Sequence, residues 1–209
     1  MIFTAIAHVA LHISGWTDDA IASRREGIQL ARRALRVGGD DPSVLGNVAY
    51  VFGYFGEDID AAMELVDRAL TLNPSFAQGW YLSGWLRLWA GQPEPAIRHF
   101  ETSLRLSPNV RRATIFMSIG LGHFFARQFD TAVAMLLRSL QEVSGWAPTY
   151  RFLAACYAHM GRLNDAREIV GRLQAITPLI VPKDAAQWRN PEQRELYLSG
   201  LRLAAGEAT

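Results

Sequence analysis

Residues 73–108 read NPSFAQGWYLSGWLRLWAGQPEPAIRHFETSLRLSP. From Pro74 to Pro108 this is two helical segments back to back, with Gly91 turning the chain between them and a proline at each end. Trp80, Ser83, Gly84 and Arg87 recur at the helical spacing and share one side of the first segment. Pro93 and Pro95 fall in the first turn of the second, where a missing N–H costs little. Ala96, Phe100 and Ser103 then face back toward the first segment.

The same pattern recurs along the chain. Ala62, Ala96, Ala132 and Ala166 stand at the same place in successive units, at intervals of 34, 36 and 34 residues. Pro74, Pro108 and Pro178 close three of the units and Ser144 stands in once. Residues 42–73 place Leu45, Val48, Ala49 and Phe52 inward on the first helix and Val66, Ala69 and Leu70 on the second. Their turn, YFGEDID, reads one residue longer than the others. Residues 110–143 repeat the pattern with Phe116, Ile119 and Gly120, then Ala132, Leu136 and Ser139. Residues 147–177 do so with Tyr150, Leu153, Ala154 and Tyr157, a turn at Gly161, then Ala166, Val170 and Leu173. Gly84, Gly120 and Ala154 let two backbones approach, so a larger side chain there would push the pair apart. Units of this kind bury their apolar faces only against neighbours, which makes an array.

The flanks are less regular. Ile2, Ile6, Val9 and Ile13 mark a first helix over residues 2–14, and its abrupt, uncapped start suggests a natural chain that begins further upstream. SGWTDD breaks it, and Asp18 or Asp19 caps a second helix running to about Val37. After Pro178 the pattern stops. LIVPKDAAQW reads as a loop, and Asn190-Pro191-Glu192-Gln193 as a capped helix start. The helix to about Ala205 exposes Arg194, Glu195 and Arg202 and buries Leu196, Tyr197 and Leu201, which suits a polar cover for the last repeat. The expected fold is therefore all-α: an α-solenoid of antiparallel helix pairs over residues 1–178, then a loop and a capping helix over 179–209.

Half of the 209 residues are hydrophobic and the formal charge is +1, so the chain is neither disordered nor basic in the manner of a nucleic-acid binder. No apolar run reaches the ~20 residues of a membrane span; the best, Ala113 to Ala126, carries His123. The apolar N-terminus has no basic leader and contains two histidines, so it reads as a helix rather than a signal peptide. Cys156, the single cysteine, has no internal disulfide partner; it reads as a small buried filler and favours a reducing, cytoplasmic setting.

With WYLSGW, the Ala96-to-Phe100 pair and the closing LSP, the chain resembles the tetratricopeptide-repeat (TPR) proteins over residues 1–178, most closely over 42–178. It departs from them at Ser144, at the turn near Glu57 and Asp58, and at Arg87 and His123, where the family often has Tyr. Residues 79–108 and the run RNPEQRELYLSGLRLA from Arg189 also resemble the C-terminal repeat region of multidomain bacterial class III adenylate/guanylate cyclases. That resemblance implies the regulatory, non-catalytic end of a signalling protein; the metal-binding aspartates belong to a domain this sequence does not contain.

The face of the first helices turned away from their partners carries Tyr50, Tyr54, Tyr81, Trp85, Leu88, Trp89, Met117, Leu121, Phe124, Phe125, Arg151 and His159. Such an aromatic stripe can bury a protein or peptide partner, or another domain of the same chain. The alternatives are covering from within the chain or by a second copy in a homodimer, and a small apolar ligand. With aromatics in place of several Lys and Asn, the stripe does not suit the chaperone C-terminal carboxylate bound by some repeat proteins. His8 and His12, four apart, lack a third ligand, and Gly120-Leu121-Gly122 lacks both a preceding strand and a third glycine. Neither a metal nor a cofactor is expected. No nucleophile–base arrangement stands out, so the reading is of a non-enzymatic module. Arg24-Arg25-Glu26 and Arg111-Arg112 read as solvated helix faces.

Overall fold

The computed structural model describes residues 2–14, 19–182 and 185–207, without the side chains of Ile13 and Ser14. Among these are eleven helices and no strand: α1 (Ile2–Ser14), α2 (Ala20–Gly38), α3 (Pro42–Phe55), α4 (Ile59–Leu72), α5 (Ala77–Trp89), α6 (Pro93–Leu106), α7 (Arg112–Phe125), α8 (Phe129–Glu142), α9 (Ala147–His159), α10 (Leu163–Gln174) and α11 (Pro191–Ala205). Successive helices pair as α1/α2 through α9/α10, each pair packs on the next, and α11 lies against α9 and α10. The chain is an α-solenoid.

Side-chain caps begin four of the helices. Asp19, Asp41, Asp58 and Asn190 each accept two hydrogen bonds from the exposed first-turn amides of α2, α3, α4 and α11. Asp19 thus takes the capping role expected there; Asp18 and the side chain of Ile13 lie outside the described residues. Pro42 and Pro191 follow their caps directly, where their fixed φ suits the first helical turn.

The turns inside the four pairs from α3/α4 to α9/α10 share a left-handed residue: Gly56, Gly91, Arg127 and Gly161, with φ of 82°, 84°, 57° and 74°. The α3–α4 turn is not longer than its counterparts, because Gly56–Asp58 has three residues like the other three connections. What differs is that the left-handed residue comes first there and second elsewhere. Arg127 holds a conformation that costs an L-residue roughly 1–2 kcal/mol and costs glycine almost nothing.

Close helix approach depends on the small residues. A Cβ on Gly84 would meet the Phe100 ring at 2.5 Å, and one on Gly120 would meet Leu136 Cγ at 2.9 Å. Between repeats, a Cβ on Gly53 would lie 2.2 Å from Leu86 Cδ2. Ala62, Ala96, Ala132 and Ala166 are all fully buried at the equivalent crossing. Cys156 is also fully buried, and burial pushes its thiol well above the ordinary range, so it packs as a small apolar group.

A polar network fills the seam of α4, α5 and α6. Arg87 donates to both carboxylate oxygens of Asp67, at 2.9 and 3.1 Å, and to the Ser83 hydroxyl. The His99 ring sits 3.1 Å from that hydroxyl through Nδ1 and lies edge-on to Trp80 at 4.8 Å. The bond with Asp67 explains an arginine at position 87. At the other departure, His123 Nδ1 lies 2.6 Å from Gln128 Oε1, bridging the α7–α8 turn.

Candidate docking groove

The first helices α3, α5, α7 and α9 form one side of the solenoid and bring their aromatic residues into a continuous band. Tyr50 and Tyr54 on α3 meet Trp89 on α5, with ring centroids 5.1 and 5.7 Å apart. Trp85 lies 5.6 Å from Trp89 and 6.3 Å from Tyr81. On α7 and α9, Phe125 and Phe152 are 5.7 Å apart, and Phe152 stacks on Tyr197 of α11 at 4.4 Å. Burial pushes the Tyr50 and Tyr197 hydroxyls up, so both phenols stay neutral.

The chain's own C-terminal segment lies across this band. Arg151 on α9 donates through Nε to the Ile180 carbonyl at 3.2 Å and through Nη2 to the Leu179 carbonyl at 2.7 Å. Ala185 is fully buried, and a turn closed by the Trp188 N–H to the Ala185 carbonyl (2.9 Å) presents the Trp188 indole to the groove. Trp188 is 3% exposed and fits between three rings: Phe125 at 4.7 Å, Phe152 at 5.9 Å and Trp85 at 6.4 Å. Aromatic contacts of this kind add roughly 0.5–1.5 kcal/mol per pair beyond area burial.

Arg189 then reaches the N-terminal half of the solenoid. Its N–H donates to the Trp89 carbonyl (3.1 Å), while Nη2 donates to the carbonyls of Gly53 (2.8 Å) and Glu57 (3.2 Å). These acceptors lie at the C-terminal ends of α5 and α3, where unpaired carbonyls favour a cation. Burial works against the Arg189 charge and Asp58 supports it. Arg194, expected in solvent, is half-buried instead, because Nε and Nη2 hold the Trp188 carbonyl at 3.1 and 3.0 Å.

The twelve stripe residues thus separate by role. Trp85, Phe125, Trp89 and Arg151 meet the C-terminal segment directly. Tyr50, Tyr54 and Tyr81 extend the band and stay half-buried. His159 is covered by α11, its Nε2 lying 2.7 Å from the Leu196 carbonyl, and it stacks on Phe129 at 5.4 Å. Leu88, Met117, Leu121 and Phe124 are buried at 4% exposure or less and offer no free surface. Phe124 faces Phe129 at 5.7 Å, on α8. Phe152, Trp188 and Arg189 are absent from the expected set, as are the Gly53 and Glu57 carbonyls. An indole and an arginine inside a loop are the available signal, since a tryptophan rarely stays in water when a groove is near.

Elsewhere, His8 Nδ1 lies 2.9 Å from the Ser23 hydroxyl, while His12 packs edge-on to Phe55 at 5.2 Å. Among the described residues no group of three or more His, Cys, Asp or Glu could hold a metal ion, and no helix is long and apolar enough to cross a membrane.

No protein-family model and no curated protein matches the sequence. Solved structures do match. The thermophilic TPR protein TTC0263 of Thermus thermophilus is 21% identical with a TM-score of 0.67, covering 95% of this chain and 97% of that one. The fold is the TPR solenoid. PilW, a type IV pilus biogenesis factor, is 19% identical with a TM-score of 0.64 over 99% of this chain and 94% of its own. YrrB, described as a TPR protein with an unusual peptide-binding site, is 20% identical with a TM-score of 0.56 over 84% of this chain and 91% of its own. At these identities the likeness carries the fold. In TPR terms, the aromatic band belongs to the first helix of each repeat, and the described residues between α10 and α11 cross it.

Proposed function

We propose that this TPR chain is a non-catalytic interaction scaffold that docks a protein segment on its aromatic first-helix face. One observation carries the reading: that face already receives peptide, with Trp188 between three rings and Arg189 bonded to carbonyls of two helices. Tryptophan, tyrosine and arginine are the usual anchors of protein docking. On this face the cavity beside Tyr81, lined also by Gln78, Ser107 and Arg111, measures about 190 Å³, while a cavity of about 360 Å³ lies away from it, around Asp67, Arg87 and His99. Small-molecule pockets run to ~300–1,000 Å³, so on the aromatic face a chain segment is favoured over an apolar metabolite.

The finer context we propose is the regulatory end of a class III cyclase-like signalling protein, working in the cytoplasm. It rests on the resemblance of residues 79–108 and of the run from Arg189 to cyclase C-terminal repeats. A coding frame that continues upstream of Met1 into a cyclase domain supports this context; a stop codon immediately upstream removes it.

The docking face is tested by placing a photo-crosslinking phenylalanine at Tyr81, on the aromatic band, or at Leu137, exposed on α8. Partner adducts at Tyr81 and none at Leu137 are expected. Adducts at Leu137 alone would move the docking face to the second helices.

A further inference from the structure

We propose that Ala185–Arg189 is a built-in occupant of the groove, and that the outside partner competes for the same place with an aromatic residue followed directly by an arginine. This rests on the reading of the aromatic face as the docking face, and it adds what that face recognises.

The contacts divide as peptide-recognition contacts do. Some ignore sequence: Arg151 holds the carbonyls of Leu179 and Ile180, and the Trp89 carbonyl receives the Arg189 N–H. Two read side chains. The slot of Trp85, Phe125 and Phe152 takes an indole, and the carbonyls of Gly53 and Glu57 take a guanidinium. Those two carbonyls stand on either side of Phe55, the last residue of α3, and the planar fork of arginine meets both through one nitrogen.

The internal occupant leaves buried donors without a protein acceptor. Trp85 Nε1, Trp188 Nε1 and Arg189 Nη1 are buried donors with no acceptor among the described residues, and Gln193 Oε1 at the start of α11 is a buried acceptor with no donor there. A partner offering the same ring and arginine, with a carbonyl or carboxylate acceptor beside them, would satisfy the Trp85 indole N–H, the donor that stays with the groove.

The segment can leave without unwinding a helix. Its described residues form no helix between α10 and α11, and Pro178 and Pro182 disfavour one. Its release uncovers Trp85, Phe125 and Phe152, while α11 keeps its own contacts with α9 through Phe152–Tyr197 and His159.

The test uses a fluorescent peptide of residues 179–190, LIVPKDAAQWRN, and a control peptide with Trp and Arg both replaced by Ala. Each is titrated into the unaltered chain and into the full chain carrying Trp188→Ala and Arg189→Ala. The vacated groove should bind the 179–190 peptide at least tenfold more tightly than the unaltered chain does, and at least tenfold more tightly than it binds the control. Equal binding of both peptides, or no binding by a variant that keeps its helical circular dichroism, overturns the proposal. If the double variant loses helicity, amide exchange in the unaltered chain decides. The Arg189 amide should exchange at least tenfold faster than the slowest amides of α5, and equal rates overturn the proposal. Peptide failure with persistent crosslinking at Tyr81 removes this proposal alone, whereas loss of both removes the docking face too.

Discussion

The Arg189 guanidinium donates to the Gly53 carbonyl at 2.8 Å, across 136 residues of sequence. In a solenoid each repeat contacts only its neighbours, so stability is a sum of local terms. This bond breaks that rule. It ties the segment that follows the last repeat to the end of α3 and runs over α5, α7 and α9 on the way.

That tie makes Trp188 and Arg189 act as a unit. Trp188→Ala alone removes a buried indole, for which losses run to roughly 3–5 kcal/mol, and Arg189→Ala removes charged hydrogen bonds worth about 1.5–3 kcal/mol. Neither can cost more than lifting the segment off the groove. The double variant should therefore destabilise by clearly less than the sum of the singles, as contacting residues do. Urea unfolding of the four proteins checks this, and strict additivity would show that the two side chains act independently.

Gly84 sets the spacing of α5 and α6. A methyl group there meets the Phe100 ring at 2.5 Å, and that ring is fully buried with nowhere to move. Gly84→Ala should lower stability by roughly 1–3 kcal/mol despite alanine's better helix propensity. Gly171, on the same chain with nothing within 4 Å of an added Cβ, is the control, and its alanine variant should be neutral or slightly stabilising.

Arg127 is a strained member of a glycine series. It holds φ 57° where Gly91 and Gly161 hold 84° and 74° at equivalent turns. Arg127→Gly should stabilise the chain by up to about 1 kcal/mol, the relief of left-handed strain outweighing the unfolded-state entropy of glycine. A thermal melt that shifts downward would contradict it.

His99 gives the fold an acid-side dependence. Burial, then the nearby Arg87 charge, lowers its pKa from 6.5 to about 4, with Asp67 opposing. Between those values the unfolded chain holds a proton that the folded chain refuses, so stability falls as pH drops from about 6.5 to 4 and levels off below. His99→Gln should flatten that part of the stability–pH curve. An unchanged curve would place the dependence on other groups.

The repeat is legible from sequence because its physics is local. Phe100 against Gly84, Pro93 in a first turn and a turn glycine at Gly91 each declare themselves within one helix pair. The aromatic band is half legible. Helical projection finds the face of Trp85 and Phe125, but it cannot tell an open residue from one shut in a seam, as Leu88 and Phe124 are. The C-terminal crossing reads only as a loop. Trp188, Arg189 and Gly53 are joined by tertiary contacts across most of the chain, and no spacing rule links them. The Arg194 misreading follows from the same gap, since its partner is a loop carbonyl rather than a helix neighbour.

The chain's own Trp188 fills the aromatic groove. Residue-resolved nuclear Overhauser spectroscopy of the side-chain rings in solution tests it most directly. Cross-peaks between the Trp188 indole and the Phe125 ring, whose centroids lie 4.7 Å apart, are the expected result. A Trp188 indole showing only intraresidue cross-peaks and solvent-exposed chemical shifts would mean that the groove stands empty of it in solution.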